Sequence, residues 1–204
     1  MKNIYLIAGL GLALRFVFAI FGEFSTDAEA VYLSALKFYQ TGVLGVVGAR
    51  VVYSGTSIPG SLLDLMTGIP LFISRGALWG FAFAGAAYSW ISAWIIFKAY
   101  RTLDLKMSQD MLAAFVFLSP WPILFSDALN SSLMLLPATI WFYSATQIFS
   151  GVRSRKQYVL LGLSFVLGFQ LHLSFVILGF GAFVLLLLDE KSMQKKTSNT
   201  NHSR

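Results

Sequence analysis

Two carboxylates two residues apart, Asp27 and Glu29, stand in a polar stretch just beyond a long apolar run, and one histidine, His172, stands inside another. A carboxylate can take a proton from an attacking hydroxyl, and an imidazole can donate to a group that gains charge as it leaves. Each residue also has a plainer reading. Thr26-Asp27-Ala28-Glu29 has the spacing of a helix-opening capping box, which accounts for both acids through initiation and the helix dipole. A histidine among apolar residues is often a satisfied polar group between helices, although ionisable groups inside a membrane tend to be functional. Other chemistries are excluded. The chain has no cysteine, so thiolate catalysis, disulfides and cysteine metal sites are absent. His172 and His202 are too far apart for a histidine-pair zinc motif. No metal ligand set and no cofactor motif is read, and a divalent-metal requirement is left open. The net charge of +6 comes from short basic clusters outside the apolar runs, which points to orientation and anionic headgroups, with no nucleic-acid motif.

The elements that must position these residues are apolar helices. Hydrophobic residues make up 57% of the 204 and charged residues 12%, a balance that suits lipid rather than water. Crossing a hydrocarbon core takes about 20 apolar residues. Candidate runs are Ile4 to Phe21, broken by Arg15, then Gly76 to Phe97, Met111 to Phe125 with Ser119-Pro120, and Ser131 to Phe149. Tyr158 to Leu188 is too long for one span and predicts two segments, or a kink, at Gly168, Gln170 and His172. A weaker run, Ile58 to Ile73, holds Pro59, Asp64 and Pro70. The expectation is an all-α, polytopic helical membrane protein with about six or seven apolar segments over residues 1–188. Lys2 before the first run reads as a retained signal anchor. Residues 23–57 form an extracytoplasmic loop, with an interfacial helix starting at Thr26 and a glycine-rich stretch at Gly42, Gly45 and Gly48. Residues 189–204 form a disordered polar tail.

Sidedness turns on Ile58 to Ile73. The clusters Lys98, Arg101 and Lys106; Arg153, Arg155 and Lys156; and Lys191, Lys195 and Lys196 should all be cytoplasmic with Lys2. That holds if Ile58 to Phe97 makes one net crossing, with the proline-flanked piece re-entrant. A full span at Ile58 to Ile73 reverses it. In the first arrangement Asp27, Glu29, the Asp127 to Asn130 turn and the His172 break share the extracytoplasmic side. Arg15 either snorkels or pairs with Asp64 or Asp127, and Trp121 and Trp141 read as interface anchors. Asn130-Ser131-Ser132 matches a glycosylation sequon, a short pattern of little specificity.

Asp27 followed by Glu29, Tyr32, Ala35 and Gly42, after an apolar first span, resembles the opening of GT-C superfamily membrane glycosyltransferases. The likeness is to the glycosyltransferase family 39 group, which includes protein mannosyltransferases and aminoarabinose transferases. Ser119-Pro120-Trp121 through Asn130 to Pro137 is similar to the family's SP…(WN)P stretch, and Gly168-Phe169-Gln170-Leu171-His172-Leu173-Ser174 to a QxHxS segment. The match covers most of this chain but only the N-terminal half of a typical member. Ala28 stands where the family has Glu after the Asp, with the acid at Glu29 instead, and Ser57-Ile58-Pro59-Gly60 stands where it has HPP(L). The resemblance implies transfer of a sugar from a polyprenyl-phosphate donor to a lipid, glycan or protein acceptor at the extracytoplasmic face, in a bacterial inner (cytoplasmic) membrane. Asp27 matches the acid that serves as base or orients the acceptor. Glu29, Tyr32, Asn130 and Gln170 fall in the matching stretches as substrate-binding positions. Arg50, Arg75 and His172 are the candidates for stabilising the departing phosphate. Half a typical length also admits a partner chain supplying the rest, a non-catalytic subunit or remnant, or a small transporter or flippase around His172 and Asp127.

Overall fold

A computed structural model of the chain describes residues 2–22, 25–45, 47–50, 57–103, 105–124, 126–127 and 130–187. For Arg50 and Asn130 it describes the backbone alone, and the polar tail from Asp189 lies outside the described residues. The order is α1 (Lys2–Phe21), α2 (Thr26–Thr41), β1 (Val47–Arg50), β2 (Ser57–Pro59), α3 (Leu62–Ser74) and α4 (Leu78–Thr102). There follow α5 (Gln109–Leu118), α6 (Pro120–Leu124), α7 (Asn130–Leu133), α8 (Leu135–Phe149), α9 (Arg155–Leu171) and α10 (Leu173–Leu187), whose first turn is a 3-10 turn. The described residues are therefore helical apart from one short antiparallel ladder, in which Val47 pairs with Pro59 and Arg50 with Ser57. The helical class expected from the sequence holds, and the ladder is a local addition in the glycine-rich stretch.

Helix directions follow from a few cross-links. Tyr5 meets Trp94, Trp90 Nε1 donates to the Ala8 carbonyl (2.9 Å) and Phe16 meets Phe83, so α1 and α4 are antiparallel. Asn3 bonds Asp110 near the start of both helices, and Arg15 reaches the Phe117 carbonyl near their ends, so α5 runs with α1. Tyr100 meets Phe142 and Ser150 Oγ donates to the Thr102 carbonyl (3.4 Å), so α8 runs with α4. The turn after Ser150 sends α9 back, and α10 returns against it, with Phe175 beside Gly168 and Gly179 beside Phe165. Lys98, Arg101, Lys106, Arg155 and Lys156 are thus gathered at one end of the bundle. The His172 joint, α7, the ladder and the α2–α3 pair lie toward the other.

The proline-flanked stretch makes no traverse of its own. Met66 accepts a hydrogen bond from Tyr88 Oη (3.0 Å), and Gly80 lies against Ser74 and the Pro70 carbonyl, so α3 runs antiparallel to the first half of α4. Its 13 residues extend about 20 Å, short of a hydrocarbon core. The end of α1 and the start of α4 lie at the same end of the bundle, with α2 and α3 between them in the chain. The breaks at Ser119 and His172 fall where the sequence placed them. Pro120 has no N–H with which to continue α5, and α9 ends at Leu171.

Small and hydroxylated side chains let the helices approach. Ser92, Thr139, Thr146 and Ser164 are buried, and each hydroxyl donates to a carbonyl one turn back. Arg15 is the largest fully buried side chain. Its Nε donates to Ser89 Oγ (3.0 Å) and its Nη1 to the carbonyls of Gly11 (2.9 Å) and Phe117 (2.8 Å). It thereby joins α1, α4 and the carbonyl end of α5 that the Ser119-Pro120 break leaves open. Neither snorkelling nor pairing with Asp64 describes it. The exterior, by contrast, is apolar: Leu6, Leu10 and Val17 on α1, Phe115 on α5, Val159 and Leu163 on α9, and Ile177, Phe180 and Phe183 on α10 are exposed. Helices α1, as Asn3–Phe21, and α4 are long and apolar enough to cross a membrane.

Candidate functional site

The helix bearing Asp27 begins one residue before the expected cap. Ser25, in extended backbone, accepts from the Ala28 N–H through its Oγ (3.2 Å), and its carbonyl accepts from the Glu29 N–H. The cap is Ser25 rather than Thr26, and Glu29 falls one place beyond the capping-box position. A hydroxyl with extended backbone is what this end needs, and Ser25 and Thr26 both offer one by sequence. Asp27 and Glu29 are both exposed in the first turn.

On α2, Asp27, Val31 and Ser34 share a stripe, being four and seven residues apart. Val31 packs on a cluster of Leu63, Leu133 and Leu171, joined by Tyr88 and Met134. Ser34 Oγ donates to Asp64 Oδ1 (2.7 Å). Asp64 is buried, and its other oxygen accepts from the Gly45 N–H (3.1 Å), so one carboxylate holds both the Asp27 helix and the loop after it. By sequence Asp64 offers itself only as a partner for Arg15. The available hint was its position in the first turn of a helix with no side-chain cap.

His172 follows Leu171, a member of the cluster on which Val31 packs. Its backbone is extended between α9 and α10, and its Nδ1 accepts from the Ser174 N–H (3.2 Å) with Ser174 Oγ at 2.7 Å. A backbone N–H can only donate, so Nδ1 is the accepting nitrogen in this geometry and the tautomer that fits it carries its proton on Nε2. Ser174 Oγ also touches Met134 Sδ (3.8 Å), tying the joint to the start of α8, just after α7. Gln170 lies against Gly60: a Cβ there would fall 2.6 Å from its Oε1, and Gly60 has a φ of 131° that side chains rarely adopt. The ladder, with Arg50 on it, packs against α9 and places Gly60 and Gln170 together.

One apolar cluster thus joins α2 through Val31, one turn from Asp27, α7 through Leu133, and α9 through Leu171, the residue before His172, and the strand of Arg50 packs on α9 near Gln170. Three candidates lie elsewhere. Arg75 is exposed and caps the far end of α3 in left-handed backbone, its N–H donating to the Leu71 carbonyl. That is about 18 Å along the helix from Leu63. Tyr32 serves packing: its hydroxyl donates to the Gly76 carbonyl (3.0 Å) and its ring meets Phe81 edge-on. Glu29, two residues from Asp27, falls off its stripe and on the side of exposed Leu33. Among the described residues no three histidine or acidic side chains converge on a possible metal position. Comparisons with protein-family models, curated proteins and solved structures return no match.

Proposed function

We propose that this chain is a polytopic membrane bundle that acts as the N-terminal, acceptor-activating part of a GT-C-type glycosyltransferase. The bilayer part of the reading is supported by an apolar exterior over a hydroxyl-lined interior, and by basic clusters collected at one end. By charge that end is cytoplasmic, which puts Asp27 and His172 toward the extracytoplasmic face. The observation that carries the catalytic part is that Val31, one turn from Asp27, and Leu171, next to His172, belong to one apolar cluster.

In the proposed reaction an acceptor hydroxyl attacks the anomeric carbon of a polyprenyl-phosphate sugar. Asp27 takes the hydroxyl proton as the new C–O bond forms. The bond from the anomeric carbon to the phosphate oxygen breaks, and polyprenyl phosphate leaves with the electron pair. His172 Nε2–H donates to a phosphate oxygen, with Arg50 on the neighbouring strand as the cation. Arg75, at the far end of α3, has no part in this version.

The test is release of polyprenyl phosphate from polyprenyl-phosphate-linked hexose or pentose in proteoliposomes. Asp27→Asn should slow release by about 100-fold or more with insertion intact; undiminished release excludes Asp27 as the base. Release that requires co-expressed further spans would instead favour a subunit that needs a partner chain. For sidedness, single cysteines at Thr26 and Arg155 should label from opposite faces of the membrane, and labelling from one face would overturn the arrangement.

A further inference from the structure

A second polar site lies at the opposite, basic end of the bundle. Lys98 and Arg101 are three residues apart on α4, and Tyr143 and Gln147 four apart on α8, so each pair forms one face of its helix. The two faces meet where α4 and α8 run side by side, and with Thr102 they line a cavity of about 280 Å³. That volume lies near the lower end for ligand pockets, which run from about 300 Å³ upward. It suits a headgroup rather than a whole lipid.

The lining is built for an anion. Gln147 is only 8% exposed, yet its amide hydrogen-bonds to no described residue and borders the cavity. Tyr143 likewise brings a hydroxyl with no partner among the described residues. No acidic residue is among the described lining. Arg101 lies 5.9 Å from the Phe97 ring, and both cations stand near the carbonyl end of α4, where the helix dipole favours them. The dipole accounts for cations on α4. It does not account for a buried amide and a phenol on the neighbouring helix turned into the same space.

We propose that this cavity binds a phosphate group, with the Lys98 ammonium, the Arg101 guanidinium, the Tyr143 hydroxyl and the Gln147 amide as donors. The shared chemistry is a phosphate ester, presented by an anionic phospholipid or by a soluble phosphate. At the cytoplasmic end of a bundle a phospholipid headgroup would reach it from the bilayer surface. The inference is independent of sugar transfer at the other end.

The test uses the full chain purified in detergent, with native mass spectrometry counting phosphatidylglycerol retained against phosphatidylcholine. The Lys98→Gln, Arg101→Gln pair should cut selective retention by about tenfold or more. Gln147→Glu, which keeps the side-chain shape and places a carboxylate in the cavity, should do the same. Arg155→Gln, Lys156→Gln removes equal charge from exposed positions at the same end and should change retention by less than about twofold. Equal losses in the two charge-neutralised pairs would reduce the effect to surface electrostatics and overturn the site, as would full retention in a folded Gln147→Glu protein. Millimolar inorganic phosphate that displaces the lipid identifies a site open to soluble phosphate, and lipid that resists it identifies the headgroup. If neither probe binds the unaltered protein selectively, the proposal fails.

Discussion

Replacing Asp64 tests the attachment of the Asp27 helix to the bundle. Its carboxylate accepts from Ser34 Oγ at 2.7 Å and from the Gly45 N–H at 3.1 Å. Asp64→Leu removes both acceptors at nearly constant volume. Ser34 is exposed and its hydroxyl rehydrates, so that bond costs only its net value of about 1 kcal/mol. The half-buried Gly45 N–H is left without an acceptor, at about 1–3 kcal/mol. Together they predict a loss of about 2–4 kcal/mol, or a fall in Tm of roughly 4–16 °C for a chain of this size. Asp64→Asn should cost less. The amide can turn its oxygen to Gly45 and donate through nitrogen to Ser34, because a hydroxyl also accepts. Thermal unfolding in detergent gives the order Leu below Asn below Asp. Hydrogen–deuterium exchange should accelerate along α2 and at Gly45, ahead of α4 and α8. In a double-mutant cycle, Ser34→Ala and Asp64→Leu should couple by about 1 kcal/mol. A Leu variant that melts within 2 °C of the parent (roughly 1 kcal/mol or less), with α2 exchange unchanged, would refute the reasoning.

Two further outcomes follow from the interior. Arg15→Lys keeps the charge but gives up the planar fork that reaches Ser89 and two carbonyls, and should lower Tm by roughly 3–12 °C; a Tm equal to the parent's would mean the three bonds contribute nothing net. Gly168→Val sets a side chain where a Cβ would already lie 2.4 Å from the Phe175 ring, so the α9–α10 joint must open. A cysteine placed at Ser174 should then react faster with a soluble maleimide than it does beside Gly168, and an unchanged rate would argue against tight packing at His172.

Much of the helical frame is legible in the residues because its rules are local. Apolar runs separated by basic clusters mark the helices and their ends. Pro120, without an N–H, stops α5, and the polar break at Gln170 and His172 divides the last long run. The start of α2 is legible to within one residue, since Ser25 and Thr26 offer the same capping group and only backbone geometry separates them. The ladder at Val47–Arg50 is not legible, because a strand in a glycine-rich loop depends on a partner ten residues on.

The candidate site divides along the same line. By itself the sequence determines which groups exist: two carboxylates opening a helix after the first apolar run, one histidine at a break between two helices, and cations in clusters. Only the tertiary structure decides that Val31 and Leu171 share a floor, that Arg75 caps the far end of α3, and that Asp64 serves Ser34 and Gly45 while Arg15 serves the end of α5. The cavity at Gln147 belongs to the same class, formed where two helices 45 residues apart at Thr102 and Gln147 come side by side. Helix formation is governed by hydrogen bonds four residues apart. Which polar group meets which across the bundle is fixed by packing between distant segments, and no spacing within the chain records it.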